Sequence, residues 1–442
     1  MADDITTKHP EYLEMVEPWQ TVRDTMKGEH HIKSKGETYL PMTSGQDALP
    51  ATDGYARYDA YKSRARFFDL AAPAVRGLVG IAHDKPAYVE VPPRMEYIIE
   101  DATASGDTLE DLARKITRES LQTGRTPLLV DAPTEEVGGG LPYISLYSAE
   151  SLINWKQDDI GYYLAVLMEP REVSDDEFSH EMANSYRVLR YDEFGYTVQV
   201  FVETNGELVL DSEYAIELDA MPLAVAGAIN TNASPDEPPI LPISRSAVSA
   251  YQLSADYRLS LYMTTQPTPC TRGLGDNKPT TIGADTVWHL PEAGDAFYME
   301  VSGNGIALNK QAIDDELLRA EHHGSKLLQQ GDQVQSAEAL KLRMLSQYAT
   351  LQSVVMSGGE AIEQALRSIA VWLKLNPDDV IYQPNTDFVS TVELNQMSVI
   401  NQAVMAGTLP REILYEAARK AGYTKKTDEE LTDMIEETEP TF

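Results

Sequence analysis

Cysteine is nearly absent. The lone Cys270 excludes an intramolecular disulfide and any cysteine-built zinc centre, and reads as an ordinary small side chain in a protein assembled in reducing cytoplasm. Long apolar runs are missing too. The longest, Pro222–Ile229, falls far short of the roughly 20 residues of a membrane-spanning helix. The first residues, Met1-Ala-Asp-Asp-Ile-Thr-Thr, have neither the basic start nor the apolar stretch of a secretory leader. Neither a leader nor a membrane span is therefore expected. Positive charge is scarce: 36 Lys and Arg stand against 70 Asp and Glu, a net charge of −34. Tight nucleic-acid binding comes from cations that displace counterions from phosphates, so this balance excludes a sequence reader or a DNA glue. It is compatible with DNA sliding past, because a like-charged wall repels the phosphate backbone. Solubility alone is also served by such a charge.

Catalytic signatures are missing as well. No G-x-x-x-x-G-K-[ST], G-x-S-x-G, H-E-x-x-H or EF-hand pattern occurs. Gly138-Gly-Gly140 has no Lys-Ser/Thr behind it and reads as a loop, and His180-Glu181 continues without a second histidine. The doublets His30-His31 and His322-His323 put adjacent rings on different faces of any regular element, which is poor metal geometry. Asp175-Asp176 and Asp314-Asp315 read as solvated surface in so acidic a chain. No catalytic residue, cofactor or metal is expected.

What the chain does have is apolar content of 42% over 442 residues, enough for real cores and two or three domains. Residues 1–50 are polar and glycine-spaced and read as an arm with short helices. Two helical pieces follow between Gly54 and Ile81, with Pro73 in the first turn of the second. A third helix opens at Asp107, carries Leu109, Leu112, Ile116 and Leu121, and ends at Gly124. Short β-rich runs then appear at Thr126–Val130, Tyr143–Tyr147, Tyr162–Met168 and Tyr186–Tyr191. Thr197–Glu203 and Glu207–Leu210 flank Asn205-Gly206 as a hairpin. The prolines of Ser234–Pro242 mark a boundary.

Helical spacing returns over Ser244–Met263, with Tyr251, Ala255, Leu259 and Tyr262 on one stripe, and stops at Gln266-Pro-Thr-Pro269. A compact insertion with strands at Thr286–Leu290 and Ala296–Val301 separates it from a second helix, Ile306–Gln329, striped by Ile313, Leu317, Ala320, Gly324 and Leu328. A polar loop, Gln329–Gln335, leads to Ser336, the N-cap of a long helix over Ala337–Leu375, roughly 58 Å if continuous. Gly358-Gly359 predicts a kink or break in it. Two terminal helices, Thr391–Ala406 and Pro410–Ala421, precede an acidic tail.

This order resembles the portal (head-to-tail connector) proteins of tailed bacteriophages. The likeness covers roughly residues 55–425 and rests on that order and on local strings: Tyr61-Lys-Ser-Arg-Ala-Arg-Phe-Phe with Ala72-Pro-Ala-Val-Arg-Gly-Leu-Val-Gly, Pro142–Trp155, Gln335-Ser-Ala-Glu-Ala-Leu340 and Asn385-Thr-Asp-Phe388. The Ser-Ala-Glu-Ala-Leu string departs from the Ser-Gly-x-Ala-Leu common in portals, and the first 50 residues have no counterpart. The resemblance implies an α+β portal fold: an N-terminal arm (1–50), a mixed α/β wing (51–243), stem helices (244–265 and 306–328) around a β-containing clip (266–305), a tunnel loop (329–336), a long kinked tunnel helix (337–375) and a helical crown with the acidic tail (376–442).

It further implies a non-enzymatic virion subunit that forms a ring of typically twelve copies at one capsid vertex, assembled in the host cytoplasm. Double-stranded DNA would pass through the ring without sequence specificity. The terminase large subunit, the major capsid and scaffolding proteins, and tail adaptors would be its partners, with no membrane involved. Twelve copies would carry a total formal charge of about −400, which suits a non-sticky acidic channel. Gln329, Gln330, Asp332, Gln333 and Gln335 would face the DNA. Arg272, Asp276, Asn277 and Lys278 would meet the terminase and adaptors, and Tyr251, Leu259, Ile313, Leu317 and Gly324 would pack stem against stem. The alternatives are another phage head or tail structural protein, such as an adaptor or minor head protein, and an unrecognised cytoplasmic enzyme. If the stems pack closely at Gly324, Gly324→Leu reduces ring assembly while leaving the monomer folded; ring yield on size exclusion measures this, and a normal yield rejects the stem assignment.

Overall fold

The computed structural model describes residues 4–132, 140–159, 161–173, 178, 180–204, 206–265, 268–273, 287–299, 305–323, 337–386, 388, 404, 410 and 413–415, with the side chains of all but 268 and 337–348. The chain divides into two units, one of residues 1–83 with 87–384 and one of residues 84–86 with 385–442.

The expected N-terminal arm is corrected by the structure. Helix α1 (Pro10–Met26) starts on Pro10 behind His9 and buries Tyr12, Trp19 and Val22. Their spacing of three and seven is helical, but polar neighbours and Pro18 dilute it in the sequence. The Trp19 indole donates to the Thr123 carbonyl at 2.7 Å, so the helix is fastened into the core. Short helices α2 (Glu29–Ser34) and α3 (Ser44–Asp47) follow, α3 opened by a Thr43–Gln46 capping box. The two helices expected before Ile81 are α4 (Ala51–Arg64) and α5 (Ala71–Ala82), with Pro73 in the first turn of α5.

After strand β1 (Tyr88–Glu90) and the one-turn helix α6 (Tyr97–Glu100) comes α7 (Leu109–Thr123). The Thr108 side chain caps it by accepting the Asp111 N–H at 3.1 Å, and Gly124, at φ +71°, ends it. Strands β2 (Arg125–Asp131) and β3 (Tyr143–Leu146) come next, then β4 (Leu152–Gln157), β5 (Tyr162–Glu172), β6 (Met182–Asp192), β7 (Gly195–Thr204), β8 (Glu207–Ile216) and β9 (Leu223–Gly227). β4 to β8 form a five-stranded antiparallel meander, whose last hairpin turns between Thr204 and Glu207 as Asn205-Gly206 predicts. β9 returns to β2 in a three-stranded sheet of order β3-β2-β9. That small sheet is buried on both faces. Leu128, Val130, Ala224 and Ala226 face a core shared with α7, while Leu129, Leu223 and Val225 face the core of the meander. Burial on both sides makes β9 a continuous apolar run, which hides its strand period in the sequence.

The two edges of the meander differ. Along β4 the N-terminal segment lies close, with the His9 N–H donating to the Ile153 carbonyl at 2.8 Å and the Asn154 amide to the Thr7 carbonyl at 2.9 Å. At the other edge, β8 exposes Leu208, Val209 and Leu210.

Helix α8 (Leu241–Thr264), the hairpin β10 (Thr268–Arg272) with β11 (Asp295–Met299), and α9 (Ile306–His323) then form a continuous excursion. The strand expected at Thr286–Leu290 is corrected: residues 287–290 have no regular structure, and β10 pairs with β11 instead. Helix α10 (Ala337–Trp372) and strand β12 (Ile381–Gln383), paired with β1, close the first unit. Of the kink or break expected in the long helix, the break is corrected. α10 runs through Gly358-Gly359 as a single helix of 36 residues, about 54 Å long. The glycines serve close packing: a Cβ at Gly358 would lie 3.2 Å from Ile116, and one at Gly359 would lie 2.6 Å from the Pro384 ring. The terminal helices expected at 391–406 and 410–421 lie almost wholly outside the described residues.

Gly124 joins two constraints, a left-handed backbone and a Cβ position 2.1 Å from the Asp236 carbonyl oxygen, whereas Gly106, at φ +81°, has open space around it. Gly124→Ala therefore costs at least about 2 kcal/mol and Gly106→Ala about 1 kcal/mol, a difference readable from urea unfolding midpoints.

Candidate functional site

Helix α8 is used on two sides. At about 100° per residue, Tyr251, Ala255, Leu259 and Tyr262 lie on one side, and half-buried Leu253, Tyr257, Ser260 and Thr264 lie on the opposite one. The first side packs on α2 and α4. Tyr251 and Ala255 are fully buried with Ile32, Tyr58, Tyr61 and Phe67, and Leu259 packs beside them. Hydrogen bonds fix the register: Tyr61 OH donates to Asp256 at 2.6 Å, the Arg66 N–H to Ser254 Oγ at 2.9 Å, and the Gln252 amide to the Tyr39 carbonyl at 2.9 Å. The opposite side is left for α9, which runs antiparallel to α8 beyond the hairpin and buries Ile313 and Ala320. Leu308, Asp314, Asp315 and Leu318 point outward from α9, with Leu308 68% and Leu318 49% exposed.

These placements correct two of the residues expected to pack between copies. Tyr251 is fully buried in its own chain, where burial pushes its pKa up to about 12, and Ile313 is used up inside the α8–α9 pair. Leu259 and Leu317 are half-buried and keep free surface. Arg272 is exposed on β10, opposite Asp295. The other residues expected to act lie outside the described residues: Asp276, Asn277 and Lys278 of the clip, Gln329, Gln330, Asp332, Gln333 and Gln335 of the loop, and Gly324. Tyr251 and Leu259 thus share one packed face, Ile313 and Leu317 lie on α9, and Gly324 and the residues expected along a channel lie outside the described residues.

Three arginines brace the body that carries this excursion, and sequence reading misses all three. Arg125 is fully buried, stacked between Trp19 and Trp155, with its guanidinium donating to the carbonyls of Ala233, Ala149 and Leu152 at 2.9, 2.6 and 2.8 Å. Desolvation pulls its pKa down to about 9, against the opposing fields of Tyr12 and Glu150. Arg23 binds both Glu119 and Glu150, the latter at 2.9 and 3.0 Å. Desolvation would lower its pKa, and the two carboxylates outweigh it and hold the value above the ordinary one. Arg187 joins Asp131 at 2.7 Å to Glu169 at 2.9 Å. A buried or half-buried arginine leaves no periodic mark, so none of these stands out in a charged sequence.

A fourth feature is legible only as charge. Gly54–Phe68 holds four cations, Arg57, Lys62, Arg64 and Arg66, against the single carboxylate Asp59, inside a chain of net charge −34. Arg64 lies 4.0 Å over the ring of Tyr262 on α8 and donates to the Ala60 carbonyl. Arg57, Arg64 and Arg66 form no ion pair among the described residues. Also among the described residues, no group of His, Cys, Asp and Glu could hold a metal ion and no helix is long and apolar enough to cross a membrane.

His83, at the end of α5, lies against α7 and shares a hydrogen bond of 2.9 Å with Thr117. Burial, helped by the nearby Arg114, pulls its pKa down to about 4. The fold thus favours neutral His83. Its contribution is complete above the unfolded value of about 6.5 and is lost as the pH falls through about 4. His83→Gln is expected to flatten the loss of stability between those pH values, measured as urea midpoints across the range.

Residues 239–373, about the span from α8 to α10, match the family model described as "Domain of unknown function (DUF4055)". No curated protein is significantly similar in sequence. Among solved structures, the chain is similar to one in the virion of the native gene transfer agent (GTA) particle, with 12% identity and a TM-score of 0.44, covering 77% of this chain and 88% of that chain. Chains in the neck of the empty GTA particle computed with C6 symmetry and of the native particle computed with C12 symmetry also match at 12% identity, with TM-scores of 0.43 and 0.39, each covering 78% of this chain and 90% of the other. Likenesses at this level describe the course of the chain and carry no statement of function.

Proposed function

We propose that this chain is a portal subunit, one of a ring of about twelve copies at a capsid vertex through which double-stranded DNA enters and leaves. The observation that carries the reading is the excursion α8–β10–β11–α9. Two helices end in a two-stranded hairpin, the second helix packs chiefly on the first among the described residues, and the chain then returns as the long helix α10 in the main core. A helix of 18 residues with only Ile313 and Ala320 buried among its described side chains and two outward leucines is poorly served in a monomer. Side-by-side copies would cover it. The hairpin would be the clip, offering Arg272 to the terminase and later to tail adaptors, and residues 329–336 would line the channel. The net charge supports a non-sticky passage, since the wall repels phosphate.

The reading as an adaptor or minor head protein gives no reason for a paired helical excursion followed by so long a returning helix. Native mass spectrometry with negative-stain imaging tests the proposal. A ring near twelve times 49.0 kDa with an axial hole is the expected result. A monomer or dimer at every concentration and ionic strength tried would reject it.

A further inference from the structure

The two flanks of the excursion differ in charge and in what they offer a neighbour. On the α4 side of α8 lie Lys62, Arg64 and Arg66, with the ring of Tyr262, 39% exposed, among them. Lys62 keeps a partner in Asp59 at 3.1 Å, and Arg66 lies in the field of Glu29, which is itself held by Lys33 at 2.8 Å; neither Arg64 nor Arg66 has an ion pair of its own among the described residues. On the α9 side lie Asp314 and Asp315, also without an ion pair among the described residues, flanked by the outward leucines 308 and 318. The neighbouring Glu316 is held by Arg319 at 2.9 Å. The helix between the flanks, α8, has these two elements on opposite sides, so the cationic surface and the acidic, leucine-bearing one look away from each other.

Identical molecules with net charge −34 repel one another unless local charges offset the repulsion. A surface of one sign on one flank and of the other sign on the opposite flank suits a head-to-tail contact that repeats around a ring. We propose that the Arg64–Arg66 flank of one copy seats the Asp314–Asp315 face of α9 of a second copy, with Leu308 and Leu318 covered against Tyr262 and the aliphatic stems of the cations. The inference rests on the ring reading above and names the contact that closes the ring. The arginines hold the carboxylates in bidentate or stacked geometry that lysine would not reproduce. Added salt loosens the contact.

A charge swap tests it. Arg64→Glu with Arg66→Glu makes both flanks acidic, and Asp314→Lys with Asp315→Lys makes both basic. Each variant alone is expected to assemble at least about tenfold more weakly than wild type by sedimentation velocity. A one-to-one mixture, in which opposite flanks meet at every contact, is expected to recover rings, as is the chain that carries all four substitutions. Circular dichroism checks that each variant is folded, and the aspartates are fully on the surface, so their arm stands even if losing the Arg64 stack disturbs α4.

Normal assembly of either variant alone overturns the proposal, as does loss of assembly in folded variants that neither the mixture nor the fourfold variant restores. Normal assembly of the arginine variant with weakened retention of duplex DNA on a gel overturns it in favour of a nucleic-acid surface. If wild type itself never assembles, the ring reading fails, and the contact with it.

Discussion

The body of this molecule depends on one buried cation. Arg125 begins β2 directly after Gly124, and its guanidinium lies between two tryptophans, one from α1 and one from β4. Its hydrogen bonds go to three carbonyls from two separate stretches, Ala149 and Leu152 before and within β4, and Ala233 in the loop before α8. A guanidinium taken out of water is costly unless its donors are met, and here Nη1 and Nη2 are met while the buried Nε has no hydrogen-bond partner among the described residues. The charge is therefore tolerated only when α1, the start of the meander and the approach to α8 are all in place. Each charge-assisted hydrogen bond contributes about 1.5–3 kcal/mol, so the cation acts as a check on the arrangement as well as a source of stability. Trp19 adds its own tie to the Thr123 carbonyl, two residues before Arg125. The first helix, the central sheet and the excursion share this junction.

Much of the fold was legible in the sequence where period and punctuation agree. α7 shows this: Leu109, Leu112, Ile116 and Leu121 all became core, Thr108 caps the start and Gly124 stops the end. The meander was legible through its alternation and through Asn205-Gly206. What was missed had its signal removed by physics that acts between elements. β9 is buried on both faces and so loses its alternation. α1 gains stability from a tryptophan seated far along the chain. Gly358-Gly359 looked like a break because glycine weakens helices, yet tertiary packing against Ile116 and Pro384 requires the missing side chains.

The candidate site divides in the same way. The stripe Tyr251–Ala255–Leu259 was readable as an apolar face, but a stripe does not say what covers it, and here the chain's own α2 and α4 cover most of it. The contact surface proposed above uses residues that periodicity does not reveal: the cations of Lys62–Arg66 and the outward side of α9. Local charge against the mean of the chain is the signal that finds them. In a molecule with nearly twice as many acids as bases, a local excess of cations is the informative departure.

The unequal edges of the meander have a consequence for the protein in concentrated solution. Of the meander's two edges, β4 carries the N-terminal segment, whereas β8 pairs with β7 alone among the described residues, and its exposed Leu208-Val209-Leu210 has the composition that seeds aggregation. Glu207 and Asp211 stand on either side of that triplet, with Glu213 beyond. An antiparallel pair of two β8 strands centred on Val209 would set Glu207 of each directly against Asp211 of the other. The acids therefore act as gatekeepers, and a solution crowded with copies of this chain is spared strand-to-strand stacking along β8 by the repulsion of these carboxylates.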